Sequence, residues 1–117
     1  MNSLGVIGER KAANYLLDKG YTIVDTNYRS RFGEIDIIAK NKKYLIFAEV
    51  KMRSTNSIAQ PKEFVDYQKQ QKIITTAQLY LQSHKTTLQP RFDVIEVICE
   101  NNKIKSIKHL ENAFTLV

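Results

Sequence analysis

The stretch EIDIIAKNKKYLIFAEVKM, residues 34–52, decides the fold because it encodes two β-strands and the turn that joins them. Apolar and β-branched residues fill both halves, and the polar pair Asn41-Lys42 between them predicts a tight hairpin. The second half, residues 43–52, is apolar on both faces, which is typical of a central strand covered on both sides. Glu49 and Lys51 nevertheless interrupt it, and burying such charges is costly unless they are paired or bind an ion.

The segments around this hairpin continue as helices and strands. A first helix is predicted over residues 2–21, capped by Asn2 or Ser3 and ended by Gly20. Pro61 is expected to open a long second helix over residues 62–83. Three further strands complete the order α-β-β-β-α-β-β: residues 21–28, 91–100 and 103–110. We therefore expect an α/β fold, a central mixed sheet flanked by helices, as a single domain of residues 1–117.

Composition restricts the class of partner and the compartment. The 117 residues include 18 Lys and Arg against 12 Asp and Glu, a formal charge of +6. This excess favours an anionic partner, of which nucleic acid is the commonest large one, although a merely soluble basic protein is the alternative. The single cysteine, Cys99, has apolar neighbours and is expected to be a buried thiol. No long apolar run and no signal peptide are seen, so we expect no membrane association and a cytoplasmic location.

The first helix contains a carboxylate in an unusual position. On a helical projection, Glu9 falls in the middle of the apolar face, which should meet the sheet. The apolar or small residues that lie within roughly 80° of it are Gly5, Val6, Ala12, Ala13, Leu16 and Leu17. The alternative is an acid at a helix end, neutralised by an arginine.

Three acids and one lysine are therefore oddly placed for simple packing: Glu9, Asp36, Glu49 and Lys51. The hairpin brings the strand of Asp36 beside that of Glu49, and the helix of Glu9 can cover both. Carboxylate oxygens are hard ligands that suit Mg²⁺ or Mn²⁺. Such an ion can activate water and stabilise a phosphoryl transition state, while a lysine orients or deprotonates that water. The set is typical of phosphodiester hydrolysis, whereas one cysteine and two histidines offer no zinc site.

Six segments, in this order, resemble the YraN-like family of the PD-(D/E)xK nuclease superfamily: GERKAANYLLDKGY, NYRSRFGEIDIIAK, LIFAEVKMR, AQLYL, RFDVIEV and ENAF. These are small bacterial proteins whose fold is similar to that of archaeal Holliday junction resolvases. The resemblance implies a restriction-endonuclease-like fold and a Mg²⁺ or Mn²⁺ cofactor. It assigns the metal-binding acids to Asp36 and Glu49, the lysine to Lys51 and the helix-borne acid to Glu9. The sequence departs from the superfamily at Ile35, where the motif nominally has proline.

Further residues are candidates around this set. Glu34, in the family's Gly-Glu-Ile-Asp pattern, either binds metal or pairs with an arginine. Gln70 could support the site or lie at a helix edge in water. Tyr28 and Phe32 could stack on bases, but packing in the core or hairpin is favoured. Arg91 and Asp93 are expected to pair. The candidates for holding phosphates, with solvated surface charge as the alternative, are Arg29, Arg31, Arg53, Lys69 and Lys72.

Three hypotheses follow. The leading one is a metal-dependent endonuclease that acts on DNA, with branched or repair intermediates as candidate substrates. The second is a nucleic-acid-binding module of nuclease fold that is inactive alone and works with a partner. The third is an assembly factor whose charges are ordinary ion pairs. The sequence leaves open DNA against RNA, the substrate's shape and a homodimer, which symmetric cutting of a junction would require.

Overall fold

The computed structural model describes residues 3–55 and 65–115. The elements are α1 (Ser3–Asp18), β1 (Thr22–Arg29), β2 (Glu34–Lys40), β3 (Tyr44–Ser54), α2 (Tyr67–Ser83), β4 (Gln89–Glu100) and β5 (Lys103–Phe114). The strands form one sheet in the order β1-β2-β3-β4-β5. Only the β3–β4 pair is parallel. The predicted element order, the mixed sheet and the α/β, restriction-endonuclease-like fold class are confirmed.

The helix ends show which local sequence signals were sufficient to predict where a helix begins or ends. Gly20 ends α1 as predicted: its φ is 93°, and its N–H donates to the carbonyl oxygen of Leu17 at 3.0 Å. The second helix begins later than predicted, because Val65 and Asp66 are not helical. Asp66 is the N-cap, and its side chain accepts the N–H of Lys69 at 2.8 Å. The proposed start at Pro61, residues 62–64 and the proposed cap Asn2 lie outside the described residues.

The core lies on both faces of the sheet, as the apolar pattern of β3 predicted. Against α2 pack Leu45 and Phe47 of β3, and against α1 pack Ile46 and Ala48 of the same strand. Cys99 is buried on the α1 side, as expected. Among the described residues, neither helix has the length and apolarity needed to cross a membrane.

The sheet opens into a fork between β2 and β3, and this fork positions the candidate site. The pairing of β2 with β3 runs from Lys40–Leu45 to Ile37–Ala48, and no pair continues it toward Glu34. Strict alternation along a strand would put Ile35 on the face of Ile37, but Ile35 packs in the α2-side core while Ile37 packs on the α1 side. The alternation of β2 therefore breaks where its ladder with β3 ends, and the intervening residue is Asp36.

Candidate metal and phosphate site

Asp36 lies in the fork between the two strands. Its Oδ2 accepts the backbone N–H of Val50 at 2.8 Å, so a side chain substitutes for a ladder bond where the strands part. The carboxyl of Glu49 on the neighbouring strand is only 6% exposed, and the charge of Asp36 acts on it. Like charges this close disfavour the ionisation of both groups. The two predicted acids, half-buried Asp36 and buried Glu49, thus form one interacting pair.

Both carboxyls of this pair have raised pKa values. Burial first and the charge of Asp36 second raise the pKa of Glu49 to about 7, against the opposing effect of Lys69. Burial also raises the pKa of Asp36, while the Val50 N–H opposes that rise. Near neutrality the pair therefore holds a proton that a cation can replace, which is typical of functional carboxylates.

Glu9 faces the pair from α1. Burial raises the pKa of Glu9, and the next largest cause is the negative charge of Asp36. The amide of Asn27, turned so that its nitrogen faces the acids, donates to Glu9 Oε1 at 3.2 Å and to Glu34 Oε1 at 2.9 Å. Glu34 also makes a 3.7 Å ion pair with Arg29, which is one of the two roles that the sequence left open for it. The fold therefore brings the Glu9 carboxyl of α1 within electrostatic range of the β2 acids Glu34 and Asp36.

The lysine in contact with the carboxylates is Lys69. Its Nζ lies 2.7 Å from Glu49 Oε1, and this contact helps to offset the burial of the acid. Lys69 stands in the first turn of α2, whose start is set by the Asp66 cap. The Lys51 side chain is exposed, and it makes no hydrogen bond or ion pair with another side chain of the described ranges. The assignment of Lys51 to catalysis stays a prediction, and so does that of Lys69 to nucleic-acid binding.

The carboxylate pair fits a hard divalent cation. Within residues 3–55 and 65–115, no three Asp, Glu, His or Cys side chains converge as a ready metal cluster. Mg²⁺ does not need one, because it keeps several waters and binds through one or two carboxylates plus substrate phosphates. Asp36 and Glu49 would supply that number, and the Lys69 ammonium is the cation that competes for Glu49. Glu9 as a further ligand stays a prediction.

The predicted phosphate-binding residues divide into two groups. Arg29, Arg31 and Lys72 are exposed at or beside the β1–β2 turn. Arg53 instead donates to Glu96 Oε2 at 2.7 Å, and only 22% of its side chain is exposed. Gln70, predicted as a supporting residue, donates to the carbonyl oxygen of Val65 at the start of its own helix at 3.1 Å. Three of the five predicted residues thus place exposed positive charge at or beside this turn.

Sequence reasoning missed two residues of this region. Glu96 is 2% exposed on β4, and in the parallel register it lies two residues beyond Val94, the partner of Glu49. Its signal was present, because an acid inside the apolar run RFDVIEVICE is the same anomaly as the one at Glu49. Asn27 carried no such signal: its φ of 53° and its contacts with two acids arise only in the folded chain.

The expected pairing of Arg91 with Asp93 is confirmed and belongs to a separate network. Arg91 donates to both Asp93 oxygens at 2.9 and 2.7 Å, and Asp93 is fully buried. His109 and the Asn112 N–H complete the partners of that carboxylate, at 2.7 and 3.0 Å. These contacts outweigh burial and lower the pKa of Asp93. The network stabilises the β4–β5 side of the molecule.

A mixed sheet with two helices, an Asp at the fork and a Glu-x-Lys on the next strand are the features of the PD-(D/E)xK nuclease superfamily. Within it, the chain belongs to the uncharacterised protein family UPF0102, whose model matches residues 8–97. It is similar to the UPF0102 protein of Alkaliphilus oremlandii, with 48% identity covering 95% of this chain and 97% of that protein. It is also similar to that of Clostridium tetani, with 47% identity covering 97% and 94%. The YraN-like resemblance of the sequence is thereby confirmed.

Proposed function

We propose that this protein is a metal-dependent endonuclease that hydrolyses phosphodiester bonds in DNA. The observation that carries the proposal is the buried Asp36–Glu49 pair at the fork of the sheet. Burying two acids against each other opposes folding, and a packing role does not require it. Acids with raised pKa values beside a cationic surface are typical of a site that binds a cation and an anionic substrate.

The residues of the site have distinct roles under this proposal. Asp36 and Glu49 would hold Mg²⁺ or Mn²⁺, which supplies a Lewis acid and an acidic water when bound. The Val50 N–H keeps the Asp36 carboxylate oriented into the fork. Glu9, whose pKa is raised, can accept a hydrogen bond from water on the α1 side. Lys51, exposed on the same strand as Glu49, and Lys69, already on Glu49, are the two candidates to orient the attacking water.

One observation favours the second hypothesis, a nucleic-acid-binding module that acts with a partner. The ammonium of Lys69 neutralises Glu49, and its 2.7 Å contact occupies the oxygen that a metal ion would take. A partner or substrate that moves the start of α2 would free that oxygen. Under this hypothesis the isolated protein binds nucleic acid in a salt-dependent manner but does not cut it.

A cleavage assay distinguishes the metal-dependent endonuclease from the partner-dependent binding module. Labelled linear, nicked and four-way-junction DNA are incubated with Mg²⁺, Mn²⁺ or EDTA and with the parent, Glu49→Ala, Lys51→Ala or Lys69→Ala. We expect cleavage only with metal, and a loss of roughly 10²–10⁴-fold in Glu49→Ala and in the variant lacking the water-orienting lysine. Lys42→Ala, which removes an exposed lysine of the β2–β3 turn, is the matched control.

Cleavage that persists in EDTA or in Glu49→Ala would contradict the site assignment. Binding in every lane without cleavage would instead favour the partner-dependent module, and neither binding nor cleavage would leave the assembly factor.

A further inference from the structure

The turn between β1 and β2 exposes an aromatic side chain. Phe32 is 42% exposed, although packing in the core or hairpin was favoured from sequence. Its neighbour Tyr28 does pack as expected, edge to face with Tyr80 at 5.1 Å between ring centroids. Single exposed apolar side chains are common on protein surfaces, so exposure alone assigns no role to Phe32. It does leave part of the side chain available to a partner.

The turn holds Phe32 in a fixed position. The Ser30 N–H donates to the Gly33 carbonyl oxygen at 2.9 Å, and the Phe32 N–H donates to Ser30 Oγ at 3.0 Å. The same Ser30 hydroxyl shares a 2.8 Å hydrogen bond with Thr76 Oγ1, and Thr76 is fully buried in α2. The turn is thus anchored to the helix, and the ring is presented from a rigid support.

Gly33 makes this anchoring possible. A Cβ at Gly33 would lie 3.1 Å from Lys72 Cβ and 3.3 Å from the Lys72 carbonyl oxygen, closer than ordinary packing allows. The absence of a side chain therefore lets the turn approach α2. The approach also places the base of the Lys72 side chain directly beside the turn.

Positive charge lies beside the exposed ring. The Arg31 guanidinium lies 4.8 Å from the Phe32 ring centroid, and the Arg29 side chain is 75% exposed. Aromatic rings interleaved with arginines match single-stranded nucleic acid, because rings stack on bases while guanidiniums bind phosphates. Asp36 follows Phe32 by four residues, at most ~13 Å along an extended chain. The turn therefore leads directly into the end of β2 that carries Asp36.

We propose that residues 30–33 form a stacking platform on which Phe32 holds an unpaired base beside the site. The inference rests on the proposed function, because it assumes a nucleic-acid substrate. It specifies the class of that substrate as nucleic acid with unpaired bases. In an intact duplex each base face is covered by its neighbours, and exposing one carries a free-energy cost. Nucleic acids with unpaired or splayed bases avoid that cost, so the protein prefers them to continuous duplex.

The test measures equilibrium binding in EDTA, where no metal-dependent cleavage occurs. Fluorescence anisotropy compares a short single strand, a duplex with one unpaired nucleotide and a blunt duplex of matched length. We expect Phe32→Ala to weaken binding of the two probes with unpaired bases roughly tenfold, as removal of a stacking ring does, and to leave blunt-duplex binding unchanged. Phe32→Tyr should retain the preference, while Phe32→Leu, which keeps apolar bulk without a ring, should lose it.

Leu17→Ala is the matched control, because Leu17 is another exposed apolar residue. It lies in α1, just before the start of β1, whereas the turn follows the end of β1. Equal affinity of the parent for all three probes, or equal losses in Phe32→Ala on all three, would overturn the platform. Cleavage in the parallel assay would leave the proposed function standing in either case. A parent that binds no probe would overturn both proposals.

Discussion

Replacing Glu49 by glutamine should make the metal-free protein more stable. The rise of the Glu49 pKa from 4.5 to about 7 corresponds to roughly 3 kcal/mol of destabilisation once the group is ionised. Glutamine removes the charge and with it the ion pair with Lys69, but the pKa of about 7 already includes the opposing effect of Lys69. The expected gain above pH 7 is therefore roughly 3 kcal/mol, or about 10–15 °C in melting temperature for a chain of this size.

The pH dependence of the stability provides a second check on the sign of this effect. Between 4.5 and about 7 the folded parent holds more protons at Glu49 than the unfolded chain does. Its stability from this group is therefore greatest at low pH, falls as pH rises through that window and stays low above it. Glutamine cannot titrate, so the gain of the variant over the parent should vanish toward pH 4.5 and be complete above pH 7.

Thermal unfolding in EDTA from pH 4.5 to 8.5 measures this difference, with Glu100→Gln as a control that neutralises an acid whose side chain is 47% exposed. Adding Mn²⁺ at pH 8 should raise the melting temperature of the parent more than that of Glu49→Gln, because the variant keeps only the Asp36 carboxylate of the pair. If Glu49→Gln is less stable than the parent at pH 8, the buried charge of Glu49 does not destabilise the fold. That result would refute the inference that the charge is kept for function at the expense of stability.

Three further predictions concern the stability of the fold. Asp93→Asn should cost roughly 3–5 kcal/mol in urea unfolding, because it removes the buried counter-ion of Arg91 and leaves that charge its 3.1 Å contact with the exposed Glu111. A cost below about 1 kcal/mol would contradict the network's role. Because the pKa of Asp93 is lowered from 3.8, its stabilising contribution should be complete above that value and be lost as pH falls below it. Gly33→Ala should cost roughly 1–3 kcal/mol, since its Cβ would meet Lys72, and unchanged stability would show that the turn has room to move.

Most of the fold could be predicted because its signals are local. The bounds of β2 match the predicted residues 34–40, since alternation and the flanking turns are written in adjacent residues. Gly20 likewise ends α1 through its own backbone freedom. The start of α2 was misjudged because Pro61 and Asp66 are both acceptable start signals, and local sequence does not rank them.

The acids of the site were also visible in advance. Glu9, Asp36 and Glu49 each interrupt an apolar pattern, and such an interruption is a property of one element at a time. The sequence did not predict the side-chain contacts between different helices and strands. Lys69 approaches Glu49 across the gap between α2 and β3, although 20 residues separate them in the chain. The exposed position of Lys51 and the pairing of Arg53 with Glu96 depend on the same packing.

The sequence by itself determined the order of elements, the central position of β3 and the anomalous acids, because periodicity and burial preference act over a few neighbouring residues. Only the tertiary structure decided the fork at Asp36, the choice of Lys69 as the cation on Glu49, and the outward position of Phe32. Those features arise where a ladder of hydrogen bonds ends or where a turn lies against a helix. Such contacts join residues that are distant along the chain, so their geometry exists only after the chain has folded.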